Sequence, residues 1–300
     1  MSLASNMHKP VLLHETIQIL NPQEGECFID GTLGGGGHTR EIAKYLGKKG
    51  TLVALDWDND AVSKFKTHTN ELAPKTIILQ GNYADIPDLI KEEKIPQPQG
   101  ILVDLGFSSD QIEAAERGFS FREDGPLDMR YAREEGMMTA AEVVNGYKEG
   151  ELAQIFKEYG EESFARVIAA HIVEVRRKER IMTTRELADV VQDAIPAKYH
   201  HERIHPATKV FQALRIFVNR EFENIEKLLL HIEECLPKGG RIAIISFHSL
   251  EDRIVKKAFQ KLVKEKKGTL LTKKPIIPSE EEEKENPRSR SAKLRAFLRT

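Results

Sequence analysis

The chain is nearly devoid of cysteine, with two thiols, Cys27 and Cys235, in 300 residues. Two cysteines cannot build a disulfide framework, and the scarcity suggests a reducing, cytoplasmic setting. Long apolar runs are missing as well, so no segment has the length to span a bilayer. Met1 to Asn6 has neither a charged n-region nor an apolar h-region, so no secretory signal is expected, and Met7 is a candidate natural start. A charge excess is lacking too: 45 Lys and Arg face 47 Asp and Glu, a formal balance of −2. A polyanionic partner therefore has to be read from where the charges lie. Repeats and low-complexity tracts are absent apart from the acidic run Glu280 to Glu283.

What is present is a soluble globular composition, 40% hydrophobic and 31% charged, sufficient for one large domain or two smaller ones. Its focus is Asp30-Gly31-Thr32-Leu33-Gly34-Gly35-Gly36-Gly37-His38, which follows the apolar Cys27-Phe28-Ile29 and precedes a helical pattern. Consecutive glycines free the backbone to take positive φ and bring its N–H groups to a ligand. In open α/β sheets the first βα turn usually supplies such a cradle. Thr39 stands where the dinucleotide fingerprint needs its third glycine, and no Gly-Lys-Ser/Thr ending makes a P-loop. An acidic residue before the glycines and another ending the next strand suit a ligand with an amino group and a ribose but no phosphate. S-adenosylmethionine is such a ligand.

In chain order, Thr39 to Leu46 reads as the first crossover helix, and Thr51 to Leu55 as a buried strand closing on Asp56. A carboxylate there matches a ribose diol, although it can also serve as a simple helix N-cap. Thr76 to Leu79 is a third strand, followed by Tyr83, which either stacks on an adenine or packs in the core. Gly100 to Val103 is a fourth strand, ending on Asp104. Strands alternating with helices predict a parallel, doubly wound sheet.

From Phe107 no strand-like run appears until Arg241. Thr139-Ala140-Ala141-Glu142 and Thr183-Thr184-Arg185-Glu186 are capping boxes within a helical insertion. Pro206 opens a long amphipathic helix marked by Val210, Leu214, Phe217, Ile225, Leu228, Ile232 and Leu236, which returns the chain to the sheet. Arg241 to Ser246 is a fifth strand that delivers His248 to the same edge, and Pro275 to Ile277 and Leu294 to Leu298 are candidate edge strands. The expected division is a sheet domain over 7–106 and 206–300 with an all-α insertion over 107–205.

Basic residues gather late in the chain. Arg253 to Lys274 holds nine Lys or Arg against Glu265 alone, and Arg288, Arg290, Lys293 and Arg295 follow. The segment reads either as a solvated face or edge strand or as a polyanion footprint. A zinc reading of His200, His201 and His205 is disfavoured, because no third ligand is near and Pro206 ends any helix through them.

Taken in order, His8-Lys9-Pro10-Val11-Leu12-Leu13, Asp30 to His38, Asp104-Leu105-Gly106-Phe107-Ser108-Ser109, Arg117 to Phe121 and Asp124 to Arg130 resemble the MraW/RsmH family. His205 to Thr208, Phe211 to Ile216, Ser246 to Arg253 and Asn286 to Arg295 extend the resemblance almost to the end of the chain. It implies a class I methyltransferase (Rossmann-like) fold and transfer of a methyl group from S-adenosylmethionine to the N4 amino group of a cytidine in the decoding region of 16S ribosomal RNA. By motif, the cofactor is expected at Gly36, Gly37, His38, Asp56, Tyr83, Asp104 and Gln111. Asp110 stands where the family has proline, which loosens the loop carrying Gln111.

Methylation at cytosine C5 needs a cysteine nucleophile in the loops after the fourth or fifth strand, and neither cysteine lies there. Attack by an exocyclic amine needs positioning and an acceptor for its N–H, for which Asp104 and His248 are the catalytic candidates. His248 can equally serve a neighbouring backbone. The alternatives are an amino methyltransferase acting on DNA or protein, a non-catalytic ribosome-assembly RNA-binding protein, and, weakened by the missing glycine, a nicotinamide oxidoreductase. The expected partner is 16S ribosomal RNA within the small subunit, with the oligomeric state open between monomer and homodimer.

Overall fold

A computed structural model describes residues 9–67, 69–134, 136–199 and 205–300. These form two compact units, one of Met1–Ser108 with Phe222–Thr300 and one of Ser109–Glu221. His8, the first residue of the amino-terminal motif, lies outside the described residues, as do His200 and His201.

The first unit is built on strands β1 (Cys27–Asp30), β2 (Thr51–Asp56), β3 (Lys75–Gln80), β4 (Gly100–Asp104), β5 (Arg241–Ser246), β6 (Gly268–Leu270) and β7 (Lys293–Arg299). They run in the order β3-β2-β1-β4-β5-β7-β6. The first five are parallel, and β7 lies antiparallel to both β5 and β6. This is the expected Rossmann-like, doubly wound α/β sheet.

Val-, Ile- and Leu-rich strands suit burial on both faces, and alternation along each strand sorts the side chains accordingly. Phe28, Leu52, Leu102, Ala243 and Ile245 pack with Leu20, Ile42 and Leu46 from helices Leu13–Leu20 and Gly37–Leu46. Ile29, Val53, Ile101, Val103 and Ile244 pack with Ile225, Leu228, Ile232, Val255 and Phe259 on the other side. Because β1 pairs with β2 on one flank and β4 on the other, the strand order turns back there, and in open α/β sheets the carboxyl ends at such a point are where ligands bind.

The carboxyl-terminal edge departs from expectation. Ile276 makes only an isolated bridge to Leu294, and the outer strand is Gly268–Leu270 instead. Pro275 and Pro278 flank that segment and remove the donors a ladder needs.

The second unit is helical, with Leu152, Phe156, Ile168, Ile172, Leu187, Val191, Val210 and Leu214 in its core. Both expected capping boxes form: Thr139 Oγ1 accepts from Glu142 N at 3.2 Å and Thr183 Oγ1 from Glu186 N at 3.3 Å. The helix expected from Pro206 to Leu236 is broken into Thr208–Asn219, Glu221–Leu230 and Ile232–Cys235. The break has a local cause. Buried Asn219 donates to Met129 O at 2.7 Å and to Arg215 O at 2.9 Å, Arg220 turns left-handed at φ 49, and Arg215 grips Glu221 at 2.8 and 3.0 Å. Thr208–Asn219 therefore belongs to the helical core, and the compact unit runs to Glu221 where the sequence placed its end at 205.

Candidate active site

The glycine turn is held by its own backbone and by the strand ends around it. Gly31 N donates to Leu102 O and Leu33 N to Leu55 O, both at 2.8 Å, tying the turn to β4 and β2. Gly34 has φ +48, and a Cβ there would meet nothing within 4 Å, so it needs glycine for conformation and faces open space. Gly36 has φ +74, and a Cβ there would lie 2.1 Å from Phe65. At Gly37 a Cβ would meet Pro10 at 2.9 Å.

Three carboxylates mark three adjacent strand ends. Asp30 is 1% exposed, accepting from Thr39 Oγ1 at 2.6 Å and Thr32 N at 3.2 Å. Both bonds come from inside the turn, one to each carboxylate oxygen. Asp56 accepts from Gly34 N at 2.7 Å on one oxygen and Asp58 N at 2.8 Å on the other, and it keeps a partly exposed face. Each oxygen retains a lone pair for a diol. Asp104 donates its own N–H to Thr32 Oγ1 at 2.7 Å and accepts from Gly106 N at 3.2 Å.

Burial pushes Asp30 and Asp104 up to about 7 and Asp56 up to about 6. Their mutual repulsion adds to this: Asp56 raises Asp30, while Asp30 and buried Glu251 raise Asp104. Backbone and threonine N–H and O–H groups pull the other way without overcoming it. Carboxyl groups raised this far by burial and by one another mark this edge as a candidate functional site.

His38 is buried in the first turn of helix Gly37–Leu46, its Nε2 3.0 Å from Val11 O and its Nδ1 3.8 Å from Asp104 Oδ2. A carbonyl opposite Nε2 requires that nitrogen to carry the hydrogen. Tyr83 is half-buried, with its Cβ 3.1 Å from where a Gly31 Cβ would stand, so it packs directly against the turn. Gly36, Gly37, His38, Asp56, Tyr83 and Asp104 are thus gathered in one unit, around one sheet edge. Gln111 is buried in helix Ser109–Glu113 of the other unit.

His248 follows β5 and caps helix Ser249–Lys264. Its Nδ1 accepts from Glu251 N at 3.4 Å, and Glu251 answers with bonds from Phe247 N at 2.8 Å and His248 N at 3.3 Å. The ring Nε2 lies 3.0 Å from Glu251 Oε1, yet its alignment is too poor for a hydrogen bond, and among the described residues no other partner reaches it. Gly106 permits this loop to approach, since a Cβ there would sit 2.7 Å from Phe247.

Several structural members were not singled out in the sequence. Thr32 joins the glycine turn to β4, Thr39 donates its hydroxyl to the buried Asp30, and Glu251 organises the loop after β5. The His-x-x-Glu spacing of His248 and Glu251, a capping box with histidine in place of serine, was the available signal. Arg295, expected among the phosphate-binding residues, is instead buried and grips Asp252 at 2.7 and 3.1 Å, whereas Arg288 and Arg290 are exposed. Of the histidines considered for zinc, His205 accepts from Ala207 N at 3.1 Å and lies against Phe121, and the other two are outside the described residues.

In the helical unit, Arg117 and Arg130 are engaged by groups close to them in the chain. Arg117 donates to Tyr131 O at 2.9 Å, Arg130 pairs with Asp128 at 2.6 and 3.1 Å, and Phe119 stacks on Tyr131. Gly118 and Gly125 have backbone where a Cβ would go, 2.3 and 2.0 Å away. Among the described residues no helix is long and apolar enough to cross a membrane.

The chain is 47% identical over 307 residues to a ribosomal RNA small subunit methyltransferase H of Syntrophotalea carbinolica, covering 97% of this chain and 98% of that one. A protein of the same name from Clostridium botulinum strain Loch Maree is 46% identical, covering 96% of this chain and 97% of that one. One from Syntrophus aciditrophicus is 43% identical over 97% of both chains. The model of the MraW methylase family matches residues 5–300, and this chain belongs to that family.

Proposed function

We propose that this protein transfers the methyl group of S-adenosylmethionine to the N4 amino group of a cytidine in the decoding region of 16S ribosomal RNA, acting in the cytoplasm. S-adenosylmethionine is the methyl donor of the family, and relatives nearly as long as this chain are named for methylation of small-subunit ribosomal RNA. The observation that carries the reading is the edge where β1, β2 and β4 end. There, an open glycine turn adjoins carboxylates that burial holds near neutrality.

When bound, the donor supplies a methyl carbon on a positively charged sulfur, and the carbon–sulfur bond breaks as the acceptor nitrogen bonds that carbon. The residues fit such a group. Asp56 offers its remaining lone pairs to ribose hydroxyls, and Gly36, Gly37 and His38 give backbone and ring contacts. Tyr83 supplies an aromatic edge for adenine, and Gln111 is assigned to the same ligand by motif. Asp104, raised to about 7, is the group whose Oδ2 accepts the amine hydrogen and takes the proton lost on methylation. His248 shapes the loop after β5 through its cap on Glu251 and is the second candidate for that proton. The helical unit is assigned to substrate recognition, where an unpaired or everted base is required.

Choice of an amine over ring carbon is supported by the thiols. Cys27 and Cys235 are both buried and pushed up to about 12, so neither offers a thiolate nucleophile. The test is incubation with methyl-labelled donor and undermodified small ribosomal subunits, followed by nucleoside analysis. Label in N4-methylcytidine is expected. Label in another nucleoside, or none with donor bound, would overturn the assigned acceptor.

A further inference from the structure

The acidic run near the carboxyl terminus is not a solvated tail. It forms helix Glu280–Glu285, capped by Ser279 Oγ, which accepts from Glu282 N at 3.1 Å. From that helix Glu282 Oε1 accepts the backbone N–H of Leu12 at 2.8 Å, across 270 residues of sequence. Leu12 is held at φ 53, ψ 37, a left-handed conformation that a leucine rarely adopts. The next contacts run straight into the site. Val11 O faces His38 Nε2 at 3.0 Å, Pro10 fills the space beside Gly37, and His38 Nδ1 lies 3.8 Å from Asp104 Oδ2.

We propose that Glu282 is a positioning residue for the donor cradle, acting through the strap Lys9 to Leu12 on His38. Its carboxylate is the acceptor that satisfies a left-handed Leu12, and that conformation aims Val11 O at the imidazole. The aimed carbonyl fixes the hydrogen of His38 on Nε2, turning Nδ1 toward Asp104. A neighbouring pair, Lys9 with Glu285 at 2.6 Å, is exposed on both sides and contributes little. The inference rests on the reading of this edge as the donor site.

The test is equilibrium binding of S-adenosylmethionine by calorimetry, with steady-state kinetics alongside, on the full chain. Glu282→Ala is expected to weaken donor binding and raise the donor KM about tenfold, the scale of a lost charge-assisted bond to a backbone N–H. The kcat at saturating donor should stay within about twofold, because the loss is one of binding rather than of chemistry. Glu282→Gln keeps an acceptor oxygen and should recover most of the affinity, while Glu285→Ala should leave it within about twofold. Should Glu282→Ala fail to fold, Glu282→Leu keeps the bulk without the acceptor and must show the same loss. A folded Glu282→Ala or Glu282→Leu with unaltered donor affinity overturns the proposal, as does a Glu285→Ala loss equal to that at Glu282. Wild-type protein that binds no donor overturns the functional reading instead, and the strap inference with it.

Discussion

At the scale of the residue, a carboxylate protonated near neutrality binds a cation only by giving up its proton. Burial raises Asp30 and Asp104 to about 7 and Asp56 to about 6 from an ordinary 3.8. Donor affinity should therefore fall as pH drops from 8 through 6, and binding at pH 6.5 should release protons, visible in calorimetry across buffers of different ionisation enthalpy. Affinity flat over that range would contradict the electrostatic reading. The same shifts bear on stability with the opposite slope: the unfolded chain ionises these groups near 3.8, so between there and about 7 the folded state holds more protons. Their stabilising contribution is complete below about 4 and is lost as pH rises through 6 to 7. The bound donor's protection against thermal unfolding should accordingly be larger at pH 8 than at pH 5.5. Asp104→Asn keeps the shape and one acceptor oxygen but cannot take a proton. Its kcat at saturating donor should fall about a hundredfold or more, with donor affinity at pH 8 reduced only toward the value wild type shows at low pH, and normal turnover would remove Asp104 from the proton's path.

At the scale of the element, the glycine turn and the capped helices make separable predictions. Gly36→Ala places a Cβ 2.1 Å from Phe65 at a positive φ, costing about 1–3 kcal/mol of stability and loosening donor binding together, readable in one pair of denaturation and titration curves. Thr183→Ala removes the cap of helix Thr184–Ala194 and should cost about 1 kcal/mol while leaving donor affinity untouched, since that helix carries none of the residues assigned to the donor. Much of this was legible beforehand. Continuous Val, Ile and Leu runs closing on Asp56 and Asp104 announced buried parallel strands and their carboxyl edge, and Thr-x-x-Glu spacings announced two helix starts. The break at Asn219 and Arg220 was not legible, because the apolar period runs on through it. What stops the helix is Asn219 bonding Met129 O from a loop 90 residues earlier in the chain. The partner of Asp30 was not legible for a similar reason: Thr39 is a helix residue, and only the folded turn brings its hydroxyl to 2.6 Å.

At the scale of the whole molecule, one chain carries a sheet unit assembled from its two ends and a helical unit from its middle. The motif residues divide between them, which is why sequence order alone links Gln111 to the cradle while the gathered residues are those of the sheet unit. The amino and carboxyl ends are joined within that unit by Glu282 and Leu12, a contact no local pattern encodes. The most direct measurement is calorimetric titration of S-adenosylmethionine into the wild-type protein and into Asp56→Asn, with folding of both verified by circular dichroism. If the edge of β1, β2 and β4 is the donor site, wild type binds one donor per chain and the variant binds it roughly tenfold more weakly or worse, as expected for a lost charged acceptor. Equal affinity in the two would place the donor elsewhere and contradict the account at its centre.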